Sequence, residues 1–205
     1  MLRKKIIFCD NLLDYDTLGN WDETLDNGVI YSSNNYLNIY KTPGDGGVES
    51  NYIDLTAPLS ADVYNFIIEI DFKAIFQSDS DVEYFILLMN DADTVAGVKV
   101  NESDERFYFQ RDGGTQFGDA QVMYKNIWYR IKFVQSFYQQ TSATGKLYAY
   151  YKDLSNENNE WVYVSSYSSQ SKGINDIRIG HPDADNQNFH YQFKNLILYE
   201  LEEFP

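Results

Sequence analysis

The sequence has one cysteine, Cys9, so no disulfide can form within the chain. At 205 residues none is needed, because a chain of this size buries roughly 70% of its unfolded surface. A lone thiol at this position reads as a small buried hydrophobe in the first strand. Catalysis by Cys9 would want a histidine beside it, and both histidines, His181 and His190, lie far off in sequence.

Basic residues are also scarce. Lys and Arg number 16 against 31 Asp and Glu, a net charge of −15. Such a surface repels a phosphate backbone, and the cations beyond Lys5 are scattered, so no nucleic-acid partner is expected. Long apolar runs are missing. After the basic tip only Ile6–Cys9 is apolar, short of the about 7–15 residues of a signal peptide and the about 18 of a membrane span. The expectation is a protein without signal peptide or membrane insertion, made in a cytoplasm or leaving it by a route that needs no signal. Prolines number four, and no linker divides the chain. One domain over residues 1–205 follows. No period of about 20–50 residues repeats, which disfavours propellers and solenoids.

Aromatics, by contrast, are abundant at 17%, with 18 Tyr, 13 Phe and 3 Trp, a composition that disordered chains lack. Period-2 alternation dominates. Phe66, Ile68, Ile70, Phe72, Ala74 and Phe76 take one face of a strand, and Glu69, Asp71 and Lys73 take the other. Ile127, Tyr129, Ile131 and Phe133 alternate with Trp128, Arg130 and Lys132, and Leu147, Ala149 and Tyr151 alternate with Tyr148, Tyr150 and Lys152. Further strands are expected near 4–9, 28–31, 35–40, 82–90, 95–101, 105–111, 160–166, 175–180 and 189–201. Turn signals separate them at Asp26-Asn27-Gly28, Pro43–Gly47 and Asp112-Gly113-Gly114. Ser155–Glu160 reads as a hairpin tip, Ser165–Ser171 as a loop, and Gly118–Lys125 as room for one helical turn. Many strands without a long helix mean an all-β fold, a two-sheet antiparallel sandwich or a barrel.

Several segments carry a family resemblance. The opening Phe8-Cys9-Asp10-Asn11-Leu12, then Trp21, then Tyr36-Leu37-Asn38-Ile39, resembles the start of concanavalin A-like jelly rolls of the laminin-G and glucanase superfamily. The middle is similar to them at Trp128–Phe133, Gly145–Tyr151 and Trp161, and the end at Ile177–Gly180 and Phe193–Tyr199. The resemblance spans nearly the whole chain and implies a concanavalin A-like jelly roll. Fold alone does not give function.

Glucanases of that superfamily carry Glu-x-Asp-x-Glu. Here Glu69 and Asp71 are present, but Lys73 and Ala74 stand where the third acid would fall. A retaining glycosidase needs two carboxyl groups about 5–5.5 Å apart, one of them a proton donor. Glu69 and Asp71 therefore read as a polar strand face. Other catalytic signatures are missing, including Gly-x-Ser-x-Gly and His-Glu-x-x-His. Gly44–Gly47 lacks the lysine of a phosphate loop, and the sequon Asn101-Glu102-Ser103 is expected to stay unused without a signal peptide. The superfamily's structural calcium would fall to Asn195 with Asp10. The acidic pairs Asp79/Asp81, Asp91/Asp93 and Asp183/Asp185 are alternatives, or simply solvated loop acids.

Aromatics on polar strand faces suggest sugar stacking. Tyr108, Trp128, Tyr148 and Tyr150 sit opposite apolar neighbours, with Arg106, Gln110 and Arg130 beside them as hydrogen-bonding groups. The same residues would also serve packing or a protein interface. The combination points to a non-enzymatic binding module for a glycan or polysaccharide. A fold so often used outside cells, without a secretion signal, suits a bacteriophage virion protein, a capsid or tail decoration released by lysis. The alternatives are a structural virion subunit that binds other virion proteins, and a glucanase with an incomplete acid set.

Overall fold

A computed structural model describes residues 2–10, 12, 21–24, 28–41, 51–55, 59, 62–77, 82–101, 105–137, 145–181 and 189–203. Their strands are β1 (Leu2–Asp10), β2 (Trp21–Thr24), β3 (Gly28–Ser33), β4 (Tyr36–Lys41), β5 (Asn51–Leu55) and β6 (Phe66–Gln77). Next come β7 (Val82–Asn90), β8 (Asp93–Asn101), β9 (Arg106–Arg111), β10 (Thr115–Gln116) and β11 (Gln121–Val122). The last are β12 (Tyr129–Phe137), β13 (Gly145–Asp153), β14 (Val162–Gln170), β15 (Asp176–His181) and β16 (Phe189–Glu203).

They form two sheets of eight strands each. The first runs β14-β13-β12-β6-β16-β4-β3, with β1 also on β16. The second runs β10-β9-β8-β7-β15-β5-β2, with β11 also on β9. The long strand β16 serves two neighbours in turn along one edge. Phe189–Phe193 pair with β4, and Leu196 to Glu203 pair with β1.

The alternation seen in the sequence places the core. Phe66, Ile68, Ile70, Phe72 and Ala74 of β6 point inward, as do Tyr129, Ile131 and Phe133 of β12. Val98, Val100, Phe107, Phe109, Ile177 and Ile179 meet them from the second sheet. Phe107 ties the layers together, with its ring centroid 6.0 Å from Phe72, 5.7 Å from Tyr129 and 5.2 Å from Tyr151. Burying one such side chain contributes about 2 kcal/mol.

In β16 the alternation changes phase. Tyr191 and Phe193 are buried, and after them Leu196 and Leu198. The extra residue is Asn195, whose φ of 54° lies in the left-handed region that asparagine tolerates better than most residues. The register against β6 shifts between Lys194 and Ile197, as a bulge requires.

Several expectations change. Strands β2, β5, β10 and β11 lie where none was expected. Gly118–Lys125 holds β11 rather than a helical turn, and a 3-10 turn occupies Asp112–Gly114. Ser165–Gln170 belongs to β14, not to a loop, because Val164 and Tyr167 pack on the core and hold the serines in the ladder. Cys9 lies in β1 as expected but is exposed, since Phe8 takes the inward position. The turns at 26–27 and 43–47, Glu102 and Ser103 of the sequon, and the acids at 79, 81, 183 and 185 lie outside the described residues.

Candidate functional site

The outward face of the first sheet is built in rungs, because side chains two apart on a strand share a face and neighbouring strands lie about 4.8 Å apart. One rung runs Tyr163, Tyr150, Lys132, Glu69, Ile197 across β14, β13, β12, β6 and β16. The next runs Lys152, Arg130, Asp71, Lys194. A third aligns Lys73, Gln192 and Asn38, with Trp128 alongside just before β12. His190 and Tyr40 pair beyond them.

The centre is a buried carboxylate. Asp71 is 1% exposed and accepts two bonds from Arg130, from Nε to Oδ1 at 2.5 Å and from Nη2 to Oδ2 at 2.9 Å. The Asn195 amide donates to the same Oδ2 at 2.8 Å. The bulge that turns Asn195 out of the ladder thus supplies the third donor. Asp71 is satisfied and shielded from water.

Beside it lies an aromatic and cationic cluster. The Lys73 ammonium is 4.9 Å from the Trp128 ring centroid and 5.5 Å from that of Tyr36, and Lys194 lies 4.2 Å from Trp128. Tyr36 and Trp128 come within 5.8 Å of each other although two strands separate them. Burial lowers the Lys73 pKa, and Lys194 adds to the lowering. On the other side Lys132 sits 3.6 Å over the Trp161 ring and 4.8 Å over Tyr150, and burial again lowers its pKa. Tyr150 and Tyr163 are 5.6 Å apart.

The far end is a hydrogen-bonded amide group. Asn38 Oδ1 accepts from Gln192 Nε2 at 2.9 Å and meets His190 Nε2 at 3.0 Å. Burial first, and the Lys73 charge second, lower the His190 pKa and favour neutral imidazole. Gln192 is 4% exposed, and its Oε1 has no donor among the described residues.

The residues expected to form one site divide between two faces. Trp128, Arg130, Tyr148 and Tyr150 lie on the outward face just described. Arg106 and Tyr108 lie on β9 and face outward from the second sheet, Gln110 shares their side of the strand but is buried at 7% exposure, and Phe107 and Phe109 point in. The sheets pack about 10 Å apart, so one sugar cannot touch both outer faces. The seven residues cannot make a single site, because alternation tells inward from outward but not one sheet from the other. The sequence reading missed Lys73, Lys132 and Lys194 as site residues, together with Asn38, His190 and Gln192. Lysines at alternate positions among aromatics were the available signal.

For the calcium expectation, the Asn195 amide group is turned toward Asp71. Asp10 pairs with Leu196 through the backbone. Asp91 is bonded by Asn175 at 3.0 Å, and Asp93 is paired with Lys172. Among the described residues, no helix is long and apolar enough to cross a membrane.

No family model matches the chain, and no curated protein matches it in sequence. Solved structures do. The PL-14 alginate lyase from Aplysia kurodai is similar with a TM-score of 0.63 at 10% identity, covering 96% of this chain and 99% of that one. The CBM2 module of the evolved Dit of Lactobacillus casei BL23 phage J-1 is similar with a TM-score of 0.61 at 11% identity, covering 100% and 99%. The cellulose-induced protein Cip1 is similar with a TM-score of 0.58 at 10% identity, covering 93% and 96%. The fold is a jelly-roll β-sandwich.

Proposed function

We propose that the chain is a non-enzymatic carbohydrate-binding module of the concanavalin A-like kind, with its ligand on the outward face of the first sheet. The observation that carries this is a pair of aromatic and cationic groups on one sheet face, Trp128 beside Lys73 and Lys194, and Tyr150, Trp161 and Tyr163 around Lys132. Apolar sugar faces pack on such rings, and hydroxyls pair with donors between them. Among the described residues, Arg130 gives two of its five N–H groups to Asp71. The similarity to a phage Dit module and to proteins named for polysaccharides supports the reading. The proposal includes a virion setting, a capsid or tail decoration, for which the likeness to the phage Dit module is the support.

The test is retardation of the purified protein in gels containing a panel of polysaccharides, with calcium and then with chelator. Tyr148→Ala/Tyr150→Ala should lose binding, and Arg106→Ala/Tyr108→Ala on the opposite face should keep it. The reverse pattern would move the site to the second sheet. Loss on chelation would add a metal site, with Asn195 and Asp10 the first residues to replace. A protein partner would be bound through the same face but not displaced by free sugar.

One observation favours a second reading. His190, held neutral beside Asn38 and Gln192, can accept a proton, as a lyase needs. Release of unsaturated product from uronate polymers, lost in His190→Ala, would establish it. No release would retire it.

A further inference from the structure

We infer that the ligand of this face is an anionic glycan, bearing carboxylate or sulfate groups on more than one sugar. This rests on the carbohydrate reading and goes beyond it. The chain as a whole is strongly acidic, at −15. Around its centre this face nevertheless gathers Lys73, Arg130, Lys132 and Lys194 against Glu69 and Asp71. Asp71 is consumed by Arg130. Among the described residues, none of the three lysines has an ion-pair partner.

Their setting is costly without an anion. Lys73 and Lys194 bring two like charges over one indole ring, 4.9 and 4.2 Å from its centroid. Lys132 is likewise partly desolvated between Trp161 and Tyr150, and Glu69 opposite it on β6 offsets only part of that cost. An aromatic ring offsets part of the charge but does not neutralise it. An anionic group on the ligand would relieve the repulsion and complete each ammonium with a charge-assisted hydrogen bond. Lys73 and the Glu69–Lys132 rung are four residues apart along β6, about 13 Å at the strand rise. The two cationic positions therefore fit charges on separate sugars of one chain. A nucleic acid is disfavoured, because about one charge per 1.7 Å would be repelled by the acidic remainder of the surface. Arg130, committed to Asp71, acts as a positioning residue that holds Asp71 and the rung between the lysines.

The test measures affinity calorimetrically for a polyuronate, a sulfated galactan, a neutral glucan and single-stranded DNA, at low and high salt. Variants are Lys73→Met/Lys194→Met, Lys132→Met and the charge-preserving Lys73→Arg. Binding to a polyuronate or sulfated polymer, weakened by salt, is expected, and the arm that binds names the anionic group. The double variant should lose about ten- to a hundred-fold in affinity, as for loss of charge-assisted bonds, and Lys73→Arg should retain most of it. Equal binding of the neutral glucan, unaffected by the lysine variants, would overturn the anionic assignment and leave the carbohydrate reading intact. Binding to no glycan would overturn both readings. So would DNA binding tighter than glycan binding.

Discussion

Removing the Arg130 guanidinium should destabilise the fold out of proportion to its partly exposed position. Arg130→Met takes away two of the three hydrogen bonds on Asp71, which is 1% exposed. Breaking a buried pair from one side costs about 3–5 kcal/mol, because the remaining charge is stranded. Asn195 still donates at 2.8 Å, so the lower end applies. For a chain of this size each kcal/mol moves Tm by about 2–4 °C, giving a fall of about 6–12 °C. Replacing both partners, Asp71→Leu with Arg130→Met, should recover most of the loss, since two well-packed apolar groups leave nothing unpaired. Arg130→Lys should fall between, because an ammonium cannot reproduce the two-pronged contact. Equilibrium urea unfolding and calorimetry on the four proteins measure this. A single variant within about 2 °C of the parent would refute the reasoning, and so would a double variant no more stable than the single. The first outcome would mean water reaches Asp71, and the second that the pair is not what Asp71 depends on.

Two further predictions concern the same architecture. His190 has its pKa lowered from an ordinary 6.5 by burial and by Lys73, so folding favours the neutral ring. Its contribution is fully present above about 6.5 and is lost as pH falls through the lower folded value. Unfolding free energy should therefore drop between about pH 7 and pH 5 more steeply in the parent than in His190→Gln, and identical slopes would exclude this role. Gly118 has φ +80°, and a Cβ there would lie 2.8 Å from Val164 and Ser165, whereas Gly113, at φ +66°, has open space. Gly113→Ala should cost about 1–2 kcal/mol for the left-handed backbone alone. Gly118→Ala should cost more in thermal unfolding, and equal losses would show that β14 yields.

Much of the fold was legible because period 2 is a local property. Phe66, Ile68, Ile70 and Phe72 had to share a face whatever lay beyond, and the buried side of β6 follows from that spacing. The hairpin β13–β14 was legible from the polar tip between two aromatic strands. Short β2, β5, β10 and β11 were not, because two to five residues carry too little pattern and are held by pairing with distant strands. In β16 the inward set reverses part-way, because Asn195 adds a residue to the strand.

The candidate site divides along the same line. Sequence alone placed Trp128, Arg130, Tyr148 and Tyr150, and likewise Arg106, Tyr108 and Gln110, on strand faces opposite apolar neighbours, turned outward or into a second layer. Only the tertiary structure decided that the first four share a sheet with Lys73, Lys194, His190 and Gln192 while the other three face the opposite way. The physical reason is that side-chain direction follows from the backbone of one strand, whereas the choice of neighbouring strand is made by hydrogen bonds between residues as far apart as Asn38 and Gln192.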